Sequence, residues 1–199
     1  MNWRAGTLRG GITVACAAAL LSGCAPAQED STGAEKVASL PQPGAVARAD
    51  SDASPLGTPD SSPKTKRPDE PSQLAVTGIR VGSHQRFDRV VVDLSGSGSP
   101  GWYVTYVPTP MQATVGRPLD VRGSAFLNIN VDGTVYPFEA GIDSVPVDTS
   151  GASGNVVDVV NAGTYEGRSQ VVVGLRSAKP YSVEVLENPT RLVVDILKS

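Results

Sequence analysis

The chain has one histidine, His84, so proton-shuttling imidazole chemistry would have to run through it. A Ser-His-Asp arrangement would use it as the base, with Ser83 or another serine as nucleophile, because a hydroxyl needs an adjacent base to attack. Two features argue against this. There is no Gly-x-Ser-x-Gly elbow. The stretch around His84 is also written twice. GSHQRFDRVVVDL at 82–94 and GTYEGRSQVVVGL at 163–175 agree at Gly82/Gly163, at three consecutive valines and at Leu94/Leu175, with Tyr165 where His84 stands. A position filled by His in one copy and Tyr in the other needs a flat ring more than a proton carrier. His84 therefore reads as a turn residue stacking on Phe87, or as a ring touching a ligand. No catalytic residue is assigned.

Two other patterns could do chemistry. Asn128, Asn130, Asp132, Gly133 and Glu139 fit the spacing of a calcium loop. Asn in the first place removes a charge, Pro137 falls late in the loop, and both flanks read as strands. An Asp-Gly hairpin at 131–134 explains the same residues, so no metal or other cofactor is expected. Arg89/Asp93 and Arg191/Asp195 are each four apart. On a strand that places both members on one face but about 13 Å apart, so each is expected to bridge to a neighbouring strand. Where such a face is open it suits sugar hydroxyls and carboxylates, the latter gripped bidentately by guanidinium. Trp102, Tyr103, Tyr106, Tyr165 and Tyr181 offer flat surfaces for sugars, with Trp102 and Tyr103 on opposite faces. The candidate ligand contacts are His84, Phe87, Arg89, Trp102, Tyr106 and Tyr165.

These residues must be positioned by strands. LAVTGIRVG (74–82), RVVVDLSG (89–96), WYVTYV (102–107), AFLNINV (125–131), NVVDVV (155–160), QVVVGL (170–175), YSVEVL (181–186) and RLVVDI (191–196) are short, rich in β-branched residues and bounded by turn formers. AFLNINV alternates cleanly between an apolar and a polar face. No helical period of useful length occurs. The pattern predicts an all-β, antiparallel β-sandwich over 74–199, large enough to fold alone. The repeat extends outward to PGWYVTYV (100–107) and KPYSVEVL (179–186), which predicts two pseudo-symmetric halves that face each other.

The N-terminus reads as an address. Arg4 and Arg9 precede an apolar run, GITVACAAALL (11–21), too short to span a bilayer as a resident helix. It ends in Leu21-Ser22-Gly23-Cys24, which resembles the bacterial lipobox. Residues 1–23 are thus expected to be a cleaved lipoprotein signal peptide, with Cys24 acylated as the membrane anchor. Only Cys16 and Cys24 exist, so no disulfide and no cysteine nucleophile would survive processing. Residues 25–73 contain no aromatic and hold eight of the sixteen prolines. After Cys24 they read as a disordered linker spanning about 35–42 Å, with PKTKRP (63–68) as solvated charge. A net charge of -3 and a pI near 5.2 argue against a nucleic-acid partner.

Gly82-x-His84-x-x-Phe87-Asp88-Arg89-Val90-Val91, Pro100-Gly101-Trp102-x-Val104-x-Tyr106-Val107, Gly163-Thr164-Tyr165-Glu166-Gly167 and Arg191-Leu192-Val193-Val194-Asp195 resemble the AMIN-like domain of secreted proteins and lipoproteins of high-GC Gram-positive bacteria. The resemblance covers about 74–198. It implies a two-sheet β-sandwich and a non-catalytic envelope module that binds peptidoglycan or an associated glycan. The location implied is the extracellular face of the cytoplasmic membrane, with lipid attachment through Cys24. The alternative is a protein-interaction module scaffolding another envelope protein. An enzyme ranks third and would need a deep cleft holding His84 and a carboxylate.

Overall fold

A computed structural model describes residues 53–199. The expected signal peptide, Cys24 and the expected linker up to residue 52 lie outside the described residues. The strands are β1 (Lys64–Lys66), β2 (Asp69–Ser83), β3 (Phe87–Ser99), β4 (Gly101–Val107), β5 (Met111–Gln112), β6 (Arg117–Pro118), β7 (Ala125–Asp132), β8 (Val147–Asp148), β9 (Val156–Tyr165), β10 (Arg168–Leu175), β11 (Tyr181–Leu186) and β12 (Arg191–Leu197). A short 3-10 helix, Pro137–Ala140, precedes β8. One sheet runs β11-β12-β3-β2-β8 and the other β1-β4-β7-β10-β9, with a small β5-β6 hairpin apart. The expected all-β architecture holds. Pairing is antiparallel except between β2 and β8, which run parallel.

The repeat shapes the sandwich in an unexpected way. The halves are not opposed layers. β2 and β3 form a hairpin in the first sheet, and the chain crosses at Pro100 to lay β4 and β7 in the second. β9 and β10 form the equivalent hairpin in the second sheet, and the chain crosses before Tyr181 to lay β11 and β12 in the first. Each sheet therefore contains strands of both halves, so neither half can bury its apolar face without the other. Equivalent residues do equivalent work. Val90, Val92 and Leu94, and their counterparts Val171, Val173 and Leu175, share one core. Ser83 bonds Asp88 across the first hairpin at 2.6 Å, and Thr164 bonds Ser169 across the second at 2.7 Å. The second hairpin turns through Glu166 (φ 47) and Gly167 (φ 81), the left-handed pair a tight two-residue turn requires.

The linker expected through residue 73 ends earlier. β1 pairs with β4, and β2 begins at Asp69. Upstream, the Leu56 N–H donates to Asp195 at 2.7 Å, and Asp60 exchanges backbone hydrogen bonds with Tyr181. Residues 54–60 thus form a strap over the outer face of the first sheet. Composition hid this because backbone pairing at a sheet edge needs no apolar side chains. β1 covers the edge of β4, and the Lys66 ammonium lies 5.5 Å from the Trp102 ring centroid. The Asp-Gly hairpin also fails. Gly133 leads into a long connection whose Gly133 and Thr134 N–H groups bond Gly167 O, and Pro137 opens the 3-10 helix where a returning strand was expected.

Tyr181 locks the strap to the core. Its ring is fully buried and its hydroxyl is shared between Ser62 O at 2.9 Å and Val104 O at 2.8 Å. Burial pushes the phenol up to about 12. A raised folded-state value means that the contribution is complete below pH 10, where an unfolded tyrosine is neutral, and is lost as pH rises through about 12. Thermal melts between pH 9 and 12 should therefore fall for the wild type and fall less steeply for Tyr181→Phe.

Candidate functional site

Strand register builds a groove on the outer face of the second sheet. Leu127, Ile129 and Val131 enter the core, so Asn128, Asn130 and Asp132 face outward. Asn130 pairs with Tyr103 of β4 on one side and Gln170 of β10 on the other. Thr65 stands opposite Tyr103, and Gly163 opposite Gln170. One row thus crosses all five strands: Thr65, Tyr103, Asn130, Gln170, Gly163. Two residues along, Asp132 stands between Gly101 and Arg168, and Arg168 faces Tyr165. At the near end of this second row Gly101 lies against the Lys66–Pro68 segment, where a Cβ on it would come within 2.4 Å of Pro68 N and 2.8 Å of Lys66 O, and Arg67, between them, lines the groove. Two adjoining depressions of about 400 and 630 Å³ lie over these rows and share Asp132, Glu166 and Arg168. Both volumes suit a small ligand.

The groove is polar along its floor. Arg168 grips Asp132 through Nε at 2.5 Å and Nη2 at 3.2 Å, which raises the guanidinium pKa. Gln170 donates to Met111 O and Asn128 Oδ1, both at 2.8 Å, and accepts from Ala113 N–H at 2.9 Å. It holds the β5–β6 hairpin upright as one wall. Asn130 is buried, yet its Oδ1 has no partner among the described residues. A hydrogen bond to Glu166 raises the Tyr165 phenol pKa.

The rim is apolar. The exposed large hydrophobic side chains among the described residues are Tyr103, Met111, Val115, Phe138 and Tyr165. Tyr103 and Tyr165 line the groove. Met111 and Val115 belong to its hairpin wall. Phe138, on the 3-10 helix, stacks on Tyr136. Thus Tyr103, Tyr165, Met111 and Val115 border this face.

The other candidate contacts are scattered. His84 stacks on Phe87 at 4.4 Å and 17°, as expected, and Arg89 lies 5.2 Å from the Phe87 centroid. Burial, followed by the Arg89 charge, lowers the imidazole pKa. This cluster occupies the pseudo-symmetric counterpart of the groove, where Arg89 pairs with buried Asp195 through two 2.7 Å bonds beneath the strap. The expected cross-strand bridging holds for Arg89. It holds for Asp93 too, which pairs with Arg80 of β2 at 3.0 Å, whereas Arg191 bonds Pro189 O. Trp102 and Tyr106 pack against the core, and Tyr106 closes its hydroxyl on Lys179 N and O. Of the six, only Tyr165 reaches the groove. The calcium spacing is spread along β7 and the 3-10 helix, and no cluster of three or more His, Cys, Asp or Glu with metal-binding geometry occurs among the described residues. Sequence reading passed over Arg168, Asp132, Asn130 and Gln170 as ligand contacts. The polar face of AFLNINVD was the available signal.

A sandwich of two strand-sharing halves, with one strapped face and one grooved face, defines a small all-β scaffold whose histidine stacks on Phe87 outside the groove. A family model for the AMIN-like domain matches residues 74–198, and the chain belongs to that family. No curated protein and no solved structure matches it significantly. No helix among the described residues is long and apolar enough to cross a membrane.

Proposed function

We propose that this protein is a non-catalytic, lipid-anchored module of the cell envelope that binds peptidoglycan or an associated glycan through the groove of the second sheet. The observation that carries the reading is the gathering of exposed aromatic and apolar side chains around a floor of paired charges and amides. Sugar rings present an apolar face and a hydroxylated rim, which such a surface complements. Membership of the AMIN-like family supports an envelope-associated binding role. The non-catalytic reading is supported by His84, whose ring is stacked and lies outside the groove. Acylated Cys24 would hold the module on the outer face of the cytoplasmic membrane.

A second reading, docking of an envelope protein, is favoured by Phe138 and Val115, which are 69% and 57% exposed and purely apolar. Sedimentation with insoluble cell wall tests the first. The 53–199 domain should co-sediment with it. Tyr103→Ala and Tyr165→Ala should each weaken binding about three- to tenfold, the range of an aromatic stacking contact. A domain that stays in the supernatant at low salt contradicts the glycan reading and leaves the protein-docking one.

A further inference from the structure

We infer that the groove selects a sugar bearing a carboxylate over a neutral glycan, through a subsite formed by Tyr103, Asn130 and Arg67; this rests on the glycan reading above. The subsite has three parts that ask for three groups on one ligand. Tyr103, between Thr65 and Asn130 in the row, is 40% exposed and offers a ring face. The neighbouring Asn130 has a buried Oδ1 with no partner among the described residues, an acceptor that a ligand amide or hydroxyl proton satisfies by displacing the side chains over it. An acetamido N–H on a stacked sugar supplies one. Arg67 is exposed, lines the groove, and has no ion-pair partner among the described residues.

The other groove cations are engaged. Arg168 is committed to Asp132 and Lys66 to Asp69 at 3.2 Å. A ligand carboxylate therefore finds its open partner at Arg67. The geometry agrees with one sugar unit. Arg67 directly follows β1, two residues beyond the Thr65 that stands opposite Tyr103, and both line one depression; Asn130 is one strand, about 5 Å, beyond Tyr103. Arg67 and Thr65 fall outside the residues matched by the family model, so the strap and β1 add this end of the groove to the family scaffold.

The test titrates the 53–199 domain, which carries its own core, with three soluble probes: N-acetylmuramic acid, whose lactyl carboxylate is free, the same sugar with that carboxylate amidated, and a neutral N-acetylglucosamine oligomer. The acidic probe should bind about tenfold or more tightly than either other, because the guanidinium–carboxylate bond is charge-assisted. Arg67→Gln should remove that preference. Arg191→Gln, on the strapped sheet, should leave it intact. Equal affinity for all three probes, or a preference that survives Arg67→Gln, overturns the inference while leaving glycan binding standing. Absence of binding to every probe and to whole wall overturns both.

Discussion

Asp88→Ala should destabilise the domain by about 3–5 kcal/mol, chiefly the cost of leaving two buried backbone N–H groups without an acceptor, about 1–3 kcal/mol each. Asp88 is fully buried. Its carboxylate accepts from Ser83 Oγ at 2.6 Å, from Asn155 N–H at 2.5 Å and Val156 N–H at 2.9 Å, and lies 3.5 Å from Lys198 Nζ. One side chain thus ties the first hairpin to the start of β9 and to the C-terminus. Alanine would strand two buried backbone donors in a space that water cannot readily fill, while Lys198 keeps Ser83 Oγ and His84 O as partners. The packing is close enough that a Cβ on Gly154 would come within 2.3 Å of the carboxylate. The duplicated position, Ser169, sets the comparison. It is also buried, but it bonds only the Thr164 and Thr134 hydroxyls at 2.7 and 2.9 Å, so Ser169→Ala should cost only about 1 kcal/mol. Urea unfolding of the two variants measures the difference. An Asp88→Ala loss no larger than that of Ser169→Ala would contradict the assignment.

Cys24→Ser should move the protein almost completely from the membrane fraction to the soluble fraction. Stable anchoring takes two membrane-binding signals, and a diacylglyceryl thioether supplies two acyl chains on one sulfur. A serine hydroxyl cannot be alkylated by that route. The described residues contain no helix able to replace the anchor. Detergent-phase partitioning reads the outcome. Continued membrane association of the serine variant after a high-salt wash would contradict lipid anchoring as the main attachment.

Much of the scaffold is legible in the sequence, because burial writes a period. The valine triplets at 90–92 and 171–173 sit one per hairpin, and their outer members share one core. The crossing of each half between sheets is not legible, since nothing local to Pro100 or Pro180 says which sheet the next strand will join. The strap and β1 were missed for a different reason. Lys64-Thr65-Lys66 is held by main-chain pairing, which leaves no hydrophobic signature. The candidate contacts went astray for the same cause. Duplication made His84 and Tyr165 equivalent, as did Arg89 and Gln170, and only the unseen strap distinguishes a covered face from an open one. Arg67 and Asn130 gain meaning only once β1, β4, β7 and β10 are set side by side.

The central claim is that ligand is held on the grooved sheet and not on the strapped one. Backbone amide NMR of the labelled 53–199 domain, titrated with soluble wall fragments, tests it most directly. Shifts should concentrate at Arg67, Tyr103, Asn130, Asp132, Tyr165 and Arg168. Shifts centred instead on His84, Arg89 and Asp195, or an unchanged spectrum at saturating fragment, would contradict it.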